Sequence, residues 1–482
     1  MLRDPAIRRV ALARFISATG AEAAFIVGIW GRAAYDFQAS PAQLALLMGV
    51  LGLCGLAGSA VAGVLVDRYG PRRVVMAGEA LFAPATLALV LPTAMAQLTL
   101  LVAAVGFLGF VVYTAISAFP PLLVTEPPPL AQGSGESPLA QGSGESPLAQ
   151  GSGESPLAQG SGESPLAQGS GESPLAQGSG ESPLMKANAA LELAHTAAFI
   201  GGPAIGALLA TVGSLDWVFV LDAATSLVAV ALVAGLAVRT HAGHANREHH
   251  AWTELREGAR FTYGVPVLRF SLVLGMVVFT SFGAFAALEP LFFREVLGTG
   301  PEALGWMNAL FGAGLAAGSL LADRWSSAFI SVRAVMLLSL GCGLGAVAYT
   351  GTANLWVVAV AAPAWGAVLG MLFPALRTLI QLHTPDALLG RATGVLHVHQ
   401  QLGELLPLVL MPAMAAAWGV QLVLVGSGVA LTLVCALLLP VAARLDRQRS
   451  VPARLDQGSG ESPTDQGSGE SPTDQGKAAM AQ

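Results

Sequence analysis

Apolar residues come in long unbroken runs along this chain, set apart by short polar breaks, from about residue 10 to residue 440. The runs predict helices at 10–35, 43–66, 73–92, 97–123, 186–211, 216–238, 267–293, 302–322, 332–350, 354–381, 390–415 and 419–440. About 20 apolar residues in a helix rise about 30 Å, the thickness of the hydrocarbon layer of a bilayer. The pattern therefore predicts an all-α polytopic membrane protein with twelve transmembrane helices. An even number of crossings puts both termini on one side.

Two stretches interrupt the pattern. From Leu130 to Pro183 the nonapeptide LAQGSGESP is repeated six times, and a close variant recurs from Leu455 towards the C-terminus. Gly, Ser, Pro and Glu at this density bury no core, so the repeats are expected to stay disordered and carry no chemistry. Tandem expansion and an inserted linker explain them equally well, and a β-solenoid lacks an aliphatic stripe beyond one Leu per copy. The second interruption, Arg239 to Pro266, holds four histidines in "THAGHANREHHAWTELREGARF". Their spacing implies no fixed ligand geometry, and the segment reads as a solvated linker ending in an amphipathic helix, Trp252 to Phe261. The expected organisation is thus 1–129 (helices one to four), 130–183 (repeat insert), 184–238 (helices five and six), 239–266 (linker), 267–440 (helices seven to twelve) and 441–482 (tail).

Composition agrees: 11% of residues are charged and 54% hydrophobic, where a soluble domain carries about a quarter charged. The mean hydropathy is +0.63. The net charge of -6 is misleading, because 11 of the 30 acids lie in the repeats. Setting those aside leaves 24 basic against 19 acidic residues, a surplus of five positive charges. Arginines at the N-terminus (Arg3, Arg8, Arg9, Arg14), between the second and third spans (Arg68, Arg72, Arg73), in the linker and in the tail all fall on one side, and only Arg32 and Arg294 lie near the other. The positive-inside rule then places both termini in the cytoplasm. Cys54, Cys342 and Cys435 sit inside apolar runs and read as small buried hydrophobes.

The two halves of the chain echo each other. "GVLVDR", ending at Arg68, has a counterpart in "SLLADR", ending at Arg324, about 200 residues later once the insert is removed. Each closes a glycine-rich helix, the second of its half. Internal duplication of this kind builds two pseudo-symmetric six-helix bundles with a binding site between them near the midplane.

At this point the sequence resembles the major facilitator superfamily, over all of the chain except the repeats. "GVLVDRYGPRRVV", Gly63 to Val75, is similar to the signature loop of that family, with Pro71 departing from the pattern. "GGPAIGA", with Gly202, Pro203 and Gly206, resembles the fifth-helix motif of its drug antiporters, Ala207 replacing the final glycine. "KANAALELAHTAAFIGGPAIGALLA" and "LGRATGVLHVHQQLGELLP" look most like the branch of macrolide-efflux, multidrug-efflux and enterobactin-exporter proteins.

The resemblance implies a conformational latch made of Gly63, Asp67, Arg68, Gly70, Arg72 and Arg73, with Asp323 and Arg324 as the second-half equivalents. A carboxylate at Asp67 can pair with arginines and face a helix N-terminus, tying the halves together when the cavity faces outward. Topology alone also explains the arginines, but it gives no reason for Asp67. Small residues at Gly55, Ser59 and Gly63, at Gly314 and Gly318, and at Gly366 and Gly370 allow close helix approach. Pro203 is expected to bend the fifth helix and seal it on its partner.

Ionisable residues at membrane depth are expensive and are candidates for function. Glu22, in the middle of the first helix, is suited to bind a proton or a cationic substrate, or to pair structurally. His397, Gln401 and Glu404 share one helix face, and either line a cavity, with Glu404 a second proton candidate, or hydrogen-bond between helices. The same two readings apply to Glu192 with His195 and to Glu289 beside Pro290. Asp222 is placed at the opening of the sixth helix as a cap, and Arg32 with Asp36 as an interfacial i, i+4 pair. The cavity is otherwise expected to be apolar, with Phe25, Trp30, Phe107, Phe282, Phe285, Met371 and Phe373 as lining, favouring a hydrophobic or amphiphilic substrate.

These readings converge on a proton-coupled exporter of hydrophobic or amphiphilic small molecules, acting by alternating access in a bacterial inner membrane. A dedicated siderophore or lipid exporter, and a transporter-like protein that does not transport, are the alternatives. No HExxH, GxSxG, P-loop or CxxC pattern suggests an enzyme. The expected partners are a small-molecule substrate, protons and the lipid bilayer, with no nucleic acid, no cofactor, no metal and a monomeric state.

Overall fold

A computed structural model describes residues 4–123, 183–236, 251–324, 331–385 and 388–449. Its helices are α1 (Pro5–Asp36), α2 (Pro41–Tyr69), α3 (Pro71–Val90), α4 (Met95–Ser117), α5 (Lys186–Val212), α6 (Asp216–Ala234) and the linker helix α7 (Ala251–Gly264). The second half contributes α8 (Pro266–Val296), α9 (Pro301–Ala322), α10 (Val332–Thr350), α11 (Leu355–Leu382), α12 (Arg391–Trp418) and α13 (Val420–Arg447). Apart from α7, these twelve are long and apolar enough to cross a membrane. The nonapeptide copies before Pro183, the four linker histidines and the tail beyond Arg449 lie outside the described residues, and the last helix runs past the expected 440.

Local chemistry sets the helix ends. Asp4 accepts from the Ala6 amide at 2.7 Å, with Pro5 in the first turn of α1. Ser40 and Gln43 form a reciprocal capping box ahead of α2, followed by Pro41; both satisfy otherwise orphaned amides. Gly70 closes α2 with φ +79 and Pro71 opens α3. That backbone angle favours glycine, and proline suits the first helical position, so the departure at Pro71 fits the turn. At the other end of the chain the Asp446 carboxylate accepts from the Val332 and Arg333 amides at 3.0 and 2.9 Å, capping α10 from α13.

The halves repeat one packing plan. In the first, α1 packs on α5 and α6, α2 on α4, and α3 on α4 and α6; in the second, α8 packs on α12 and α13, α9 on α11, and α10 on α11 and α13. Even an irregularity recurs. The first helix of each half ends in a π-helical turn, Arg32–Asp36 and Phe292–Val296. The widened turn takes Arg32 out of the expected pairing with Asp36; it reaches Asp216 of α6 at 2.5 Å and the Val90 carbonyl of α3 at 2.6 Å.

The halves meet through α5 on α9, α2 on α8 and α12, and the end of α1 on α9. Gly305 of α9 faces Val27, the Pro203 carbonyl and Ala207. Arg294 of α8 donates to the Ala34 carbonyl at 2.5 Å. These contacts lie away from the end of the bundle that carries the described termini, called here the terminal face. At the terminal face a buried cluster that includes Val10, Ala62, Val75, Ile116, Phe119 and Val233 contains no residue of the second half. The larger apolar cluster runs across both halves.

Three expectations need correction. Helix α4 ends at Ser117 and is followed by one turn, Pro120–Leu123, instead of continuing to 123; α6 stops at Ala234 instead of 238. Gly63 has nothing near it, so the small-residue contact between α2 and α4 is made by Gly55 on the Phe110 ring and Gly58 on the Phe107 carbonyl. Gly314, Gly318, Gly366 and Gly370 do make the α9–α11 crossing, each facing backbone of the other helix.

Candidate functional site

The fifth-helix motif shapes the site first. Gly202 lies against Thr19, the Glu22 Cβ and Ala23, and Gly206 against Ala23 and Val27. The two glycines therefore bring the α5 backbone onto α1 at the level of Glu22. Beside this crossing a cavity of about 170 Å³ opens within the first half. Phe25, Leu51, Phe82, Val105 and Phe110 form much of its wall, and Arg14, Ser17, Glu22, Glu79, His195 and Asp222 also line it.

Five ionisable side chains are thus gathered in one apolar wall. Glu22 is 5% exposed, Glu79 1%, Asp222 1%, Arg14 7% and His195 6%. The Ser17 hydroxyl donates to Glu79 at 2.6 Å. Among the described residues, Glu22 Oε2, both Asp222 carboxylate oxygens and both His195 ring nitrogens have no hydrogen-bond partner. The Arg14 guanidinium lies 4.2 Å from the centre of the Tyr113 ring, a cation–π contact, and the His195 ring meets the same tyrosine edge-on at 6.0 Å. Asp222 sits against Gly20, within electrostatic range of Glu79 and Glu22. Three carboxylates share one guanidinium here. Fully ionised, they would leave a surplus of two negative charges in a low-dielectric wall, a state that protons or a bound cation relieve.

This cluster changes what the sequence alone leads one to expect. Asp222 lies in the second turn of α6, which starts at Asp216, so it is a buried wall residue and not the cap. His195 lines the cavity, while Glu192, one turn away, is not in the lining. Arg14, counted from the sequence only as an arginine of the cytoplasmic side, is a wall residue. The cavity is not uniformly apolar: Phe25 lines it, but Trp30 and Phe285 are packed in the core. Glu79 is absent from the candidates chosen by sequence, although it stands alone in the apolar run "MAGEALFAP" by the criterion that selects Glu22.

A smaller cavity, about 50 Å³, lies between the halves, lined by Met48 and Gly52 of α2 together with Phe282, Phe373, Gln401 and Glu404. Glu404 and Gln401 thus share a wall as their spacing suggests. His397 is turned away, its Nδ1 3.2 Å from Gln400 Oε1. Glu289 lies in neither lining; it accepts from the Tyr349 hydroxyl at 2.6 Å, and Tyr349 in turn packs 5.4 Å from Trp365.

At the terminal face, Asp67 is exposed, and it has no ion pair among the described residues. Arg68 lies over Tyr69 at 5.3 Å, while Arg73 and Arg324 are exposed. Arg72 donates to the Ala234 carbonyl at 2.6 Å and Arg9 to the Gly235 carbonyl at 2.8 Å. Both arginines therefore complete the C-terminal end of α6, where a positive charge meets the helix dipole. The Asp323 side chain and residues 325–330 lie outside the described residues.

The family model described as Major Facilitator Superfamily matches residues 10–132 and 270–466, about two thirds of the chain. The chain belongs to the Major Facilitator Superfamily. Membership places it among multi-pass membrane transporters of small molecules, not among enzymes. Superfamily folds of known structure overlay nearly the whole chain. The nucleoside transporter NupG gives a TM-score of 0.64 at 10% identity, covering 90% of this chain and 98% of that one. A bacterial homolog to the human lysosomal transporter Spinster gives 0.60 at 13% identity, covering 92% and 97%. Sequence relatives include the multidrug efflux pump Tap of Mycobacterium tuberculosis, 30% identical over 219 residues, 44% of this chain and 51% of that one. The enterobactin exporter EntS of Escherichia coli O157:H7 is 25% identical over 277 residues, 57% of this chain and 65% of that one. The chain spans between half and two thirds of the length of these curated relatives.

Proposed function

We propose that this superfamily member exports hydrophobic or amphiphilic small molecules by alternating access, in exchange for protons, as a monomer in a bacterial inner membrane with both termini in the cytoplasm. The observation that carries the reading is the set of three buried carboxylates, Glu22, Glu79 and Asp222, in one apolar cavity with a single guanidinium. Such a wall takes up protons when nothing else neutralises it, and releases them when a substrate supplies the missing donors or excludes the water they exchange with. The resemblance to Tap and EntS, named as efflux and export proteins, favours the outward direction. The arginine distribution favours cytoplasmic termini. The absence of an ion pair at Asp67 among the described residues agrees with a latch that engages in another state of the cycle. The likeness to EntS also supports a narrower reading, a dedicated exporter of one siderophore or lipid.

The test uses the purified full-length protein in proteoliposomes with an imposed pH gradient and a panel of fluorescent amphiphiles. Uptake that needs the gradient, with proton movement in the opposite direction, is expected. Transport that is indifferent to the gradient would end the proton-exchange reading. Failure to move any amphiphile across several chemical types would end the export reading.

A further inference from the structure

Arg14 is an unusual wall residue. It is 7% exposed, it lines the 170 Å³ cavity, and its close partner among the described residues is the face of Tyr113. A ring face satisfies the charge in part but none of the five N–H donors of a guanidinium. His195 stands beside the same ring with both nitrogens unpartnered. No carboxylate lies within ion-pairing distance of Arg14 among the described residues, although Glu22 and Glu79 are within electrostatic range. Glu22 is eight residues further along α1, a rise of about 12 Å. Glu79 is one turn away from Arg14, at the level of Ser17, and its Oε1 is engaged by the Ser17 hydroxyl. The cavity therefore has two chemically different ends. Towards the far face it offers acceptors, Glu22 and Asp222. Towards the terminal face it offers donors, Arg14 and His195.

We propose that Arg14, assisted by His195, is an anion subsite of the substrate cavity, and that the transported amphiphile carries a carboxylate or phenolate-type group that docks there while its apolar body rests on Phe82 and Phe110. The inference rests on the reading of this cavity as the transport site. Guanidinium is suited to the role because its planar fork binds a carboxylate in two places, and because burial in an apolar wall strengthens the pair.

Three fluorescent probes with one apolar body decide it: pyrenebutanoate, pyrenebutanol and pyrenebutyl-trimethylammonium, titrated into the purified full-length protein in lipid nanodiscs. The wild type is expected to bind the carboxylate about tenfold or more tightly than the alcohol, the range of a charge-assisted hydrogen bond. Arg14→Gln is expected to erase that preference, and Arg14→Lys to keep part of it, since an ammonium supplies charge without the fork. His195→Gln is expected to reduce it less. Equal affinities, a preference for the trimethylammonium probe, or a carboxylate preference that survives Arg14→Gln would overturn the anion subsite while leaving the cavity a binding site. Binding of none of the three would remove the cavity reading itself, and the subsite with it. Should Arg14→Gln not fold, the wild-type order of the probes and the Arg14→Lys variant still decide between these outcomes.

Discussion

The interiors of the two halves follow one helical plan but are filled differently. Around α1 the first half gathers Arg14, Glu22, Glu79, His195 and Asp222 on a cavity wall, several of their polar atoms unpartnered. Around α8 the second half packs Phe285, Phe292, Phe293, Phe311, Tyr349 and Trp365 together, and the half-buried Glu289 beside them is held by the Tyr349 hydroxyl. An acid with a firm donor and ring neighbours has little reason to exchange its proton during a cycle. Glu22 and Asp222 share a cavity and have carboxylate oxygens without a hydrogen-bond partner among the described residues, while Glu79 beside them is held through one oxygen by Ser17; a wall of this kind responds to the contents of the cavity. On the proposed reading, the duplication supplied two copies of a frame and the proton chemistry is concentrated in one of them.

Substitution of the acids tests this contrast most directly. Asp222→Asn and Glu79→Gln are each expected to abolish gradient-driven export, by about a hundredfold or more, with substrate binding retained, and Glu22→Gln to do the same. Glu289→Gln should leave gradient dependence in place and lower thermal stability, and Glu404→Gln should fall between. Transport by each purified variant in proteoliposomes, with and without a gradient, measures this. A loss of coupling in Glu289→Gln equal to that in Asp222→Asn would remove the division of labour.

A smaller effect is expected at the terminal face. Asp67→Asn should preserve insertion and abundance while slowing export about tenfold, because the charge it removes acts only when the terminal face closes. Normal export at equal abundance would show that this loop serves topology alone.

Packing offers a third contrast. A methyl group at Gly318 would meet the Ala367 backbone, whereas one at Gly63 would meet nothing. Gly318→Ala is therefore expected to destabilise by about 1–3 kcal/mol, an overpacking effect. Gly63→Ala should be neutral or stabilising by up to about 1 kcal/mol through helix propensity. Thermal unfolding in detergent followed by tryptophan fluorescence compares them, and equal shifts would contradict the packing described for α9 and α11.

The smallest predicted effect concerns the second-half acid. Tyr349→Phe removes the hydroxyl from Glu289 and should cost about 1–2 kcal/mol, with gradient dependence unchanged. The same unfolding assay reads it. A change in the pH profile of export on this substitution would mean that Glu289 takes part in coupling after all.

What could be read in advance divides along physical lines. The twelve spans, the duplication and the superfamily follow from apolar runs and from short motifs whose meaning is local. Bilayer thickness sets the length of each run, and Gly70 with Pro71 makes the turn wherever the rest of the chain goes. Individual acids in apolar runs are also visible, since a carboxylate at such a place is rare in any membrane helix. Their company is not visible. Asp222 reads as a helix cap and Arg14 as one of the arginines that mark the cytoplasmic side because each is judged against its own few neighbours. Only the packing of α1 against α5 and α6, and of α3 against α6, carries Glu79, Asp222, His195 and Arg14 to a single wall. The same holds for Arg32, which a π-turn and two neighbouring helices redirect from Asp36 to Asp216. By itself the sequence determined where the chain crosses the membrane, because hydrophobicity and turn geometry act over a few residues. Which charges face one another was decided by tertiary structure, because pairing depends on helix rotation and crossing between segments up to 200 residues apart.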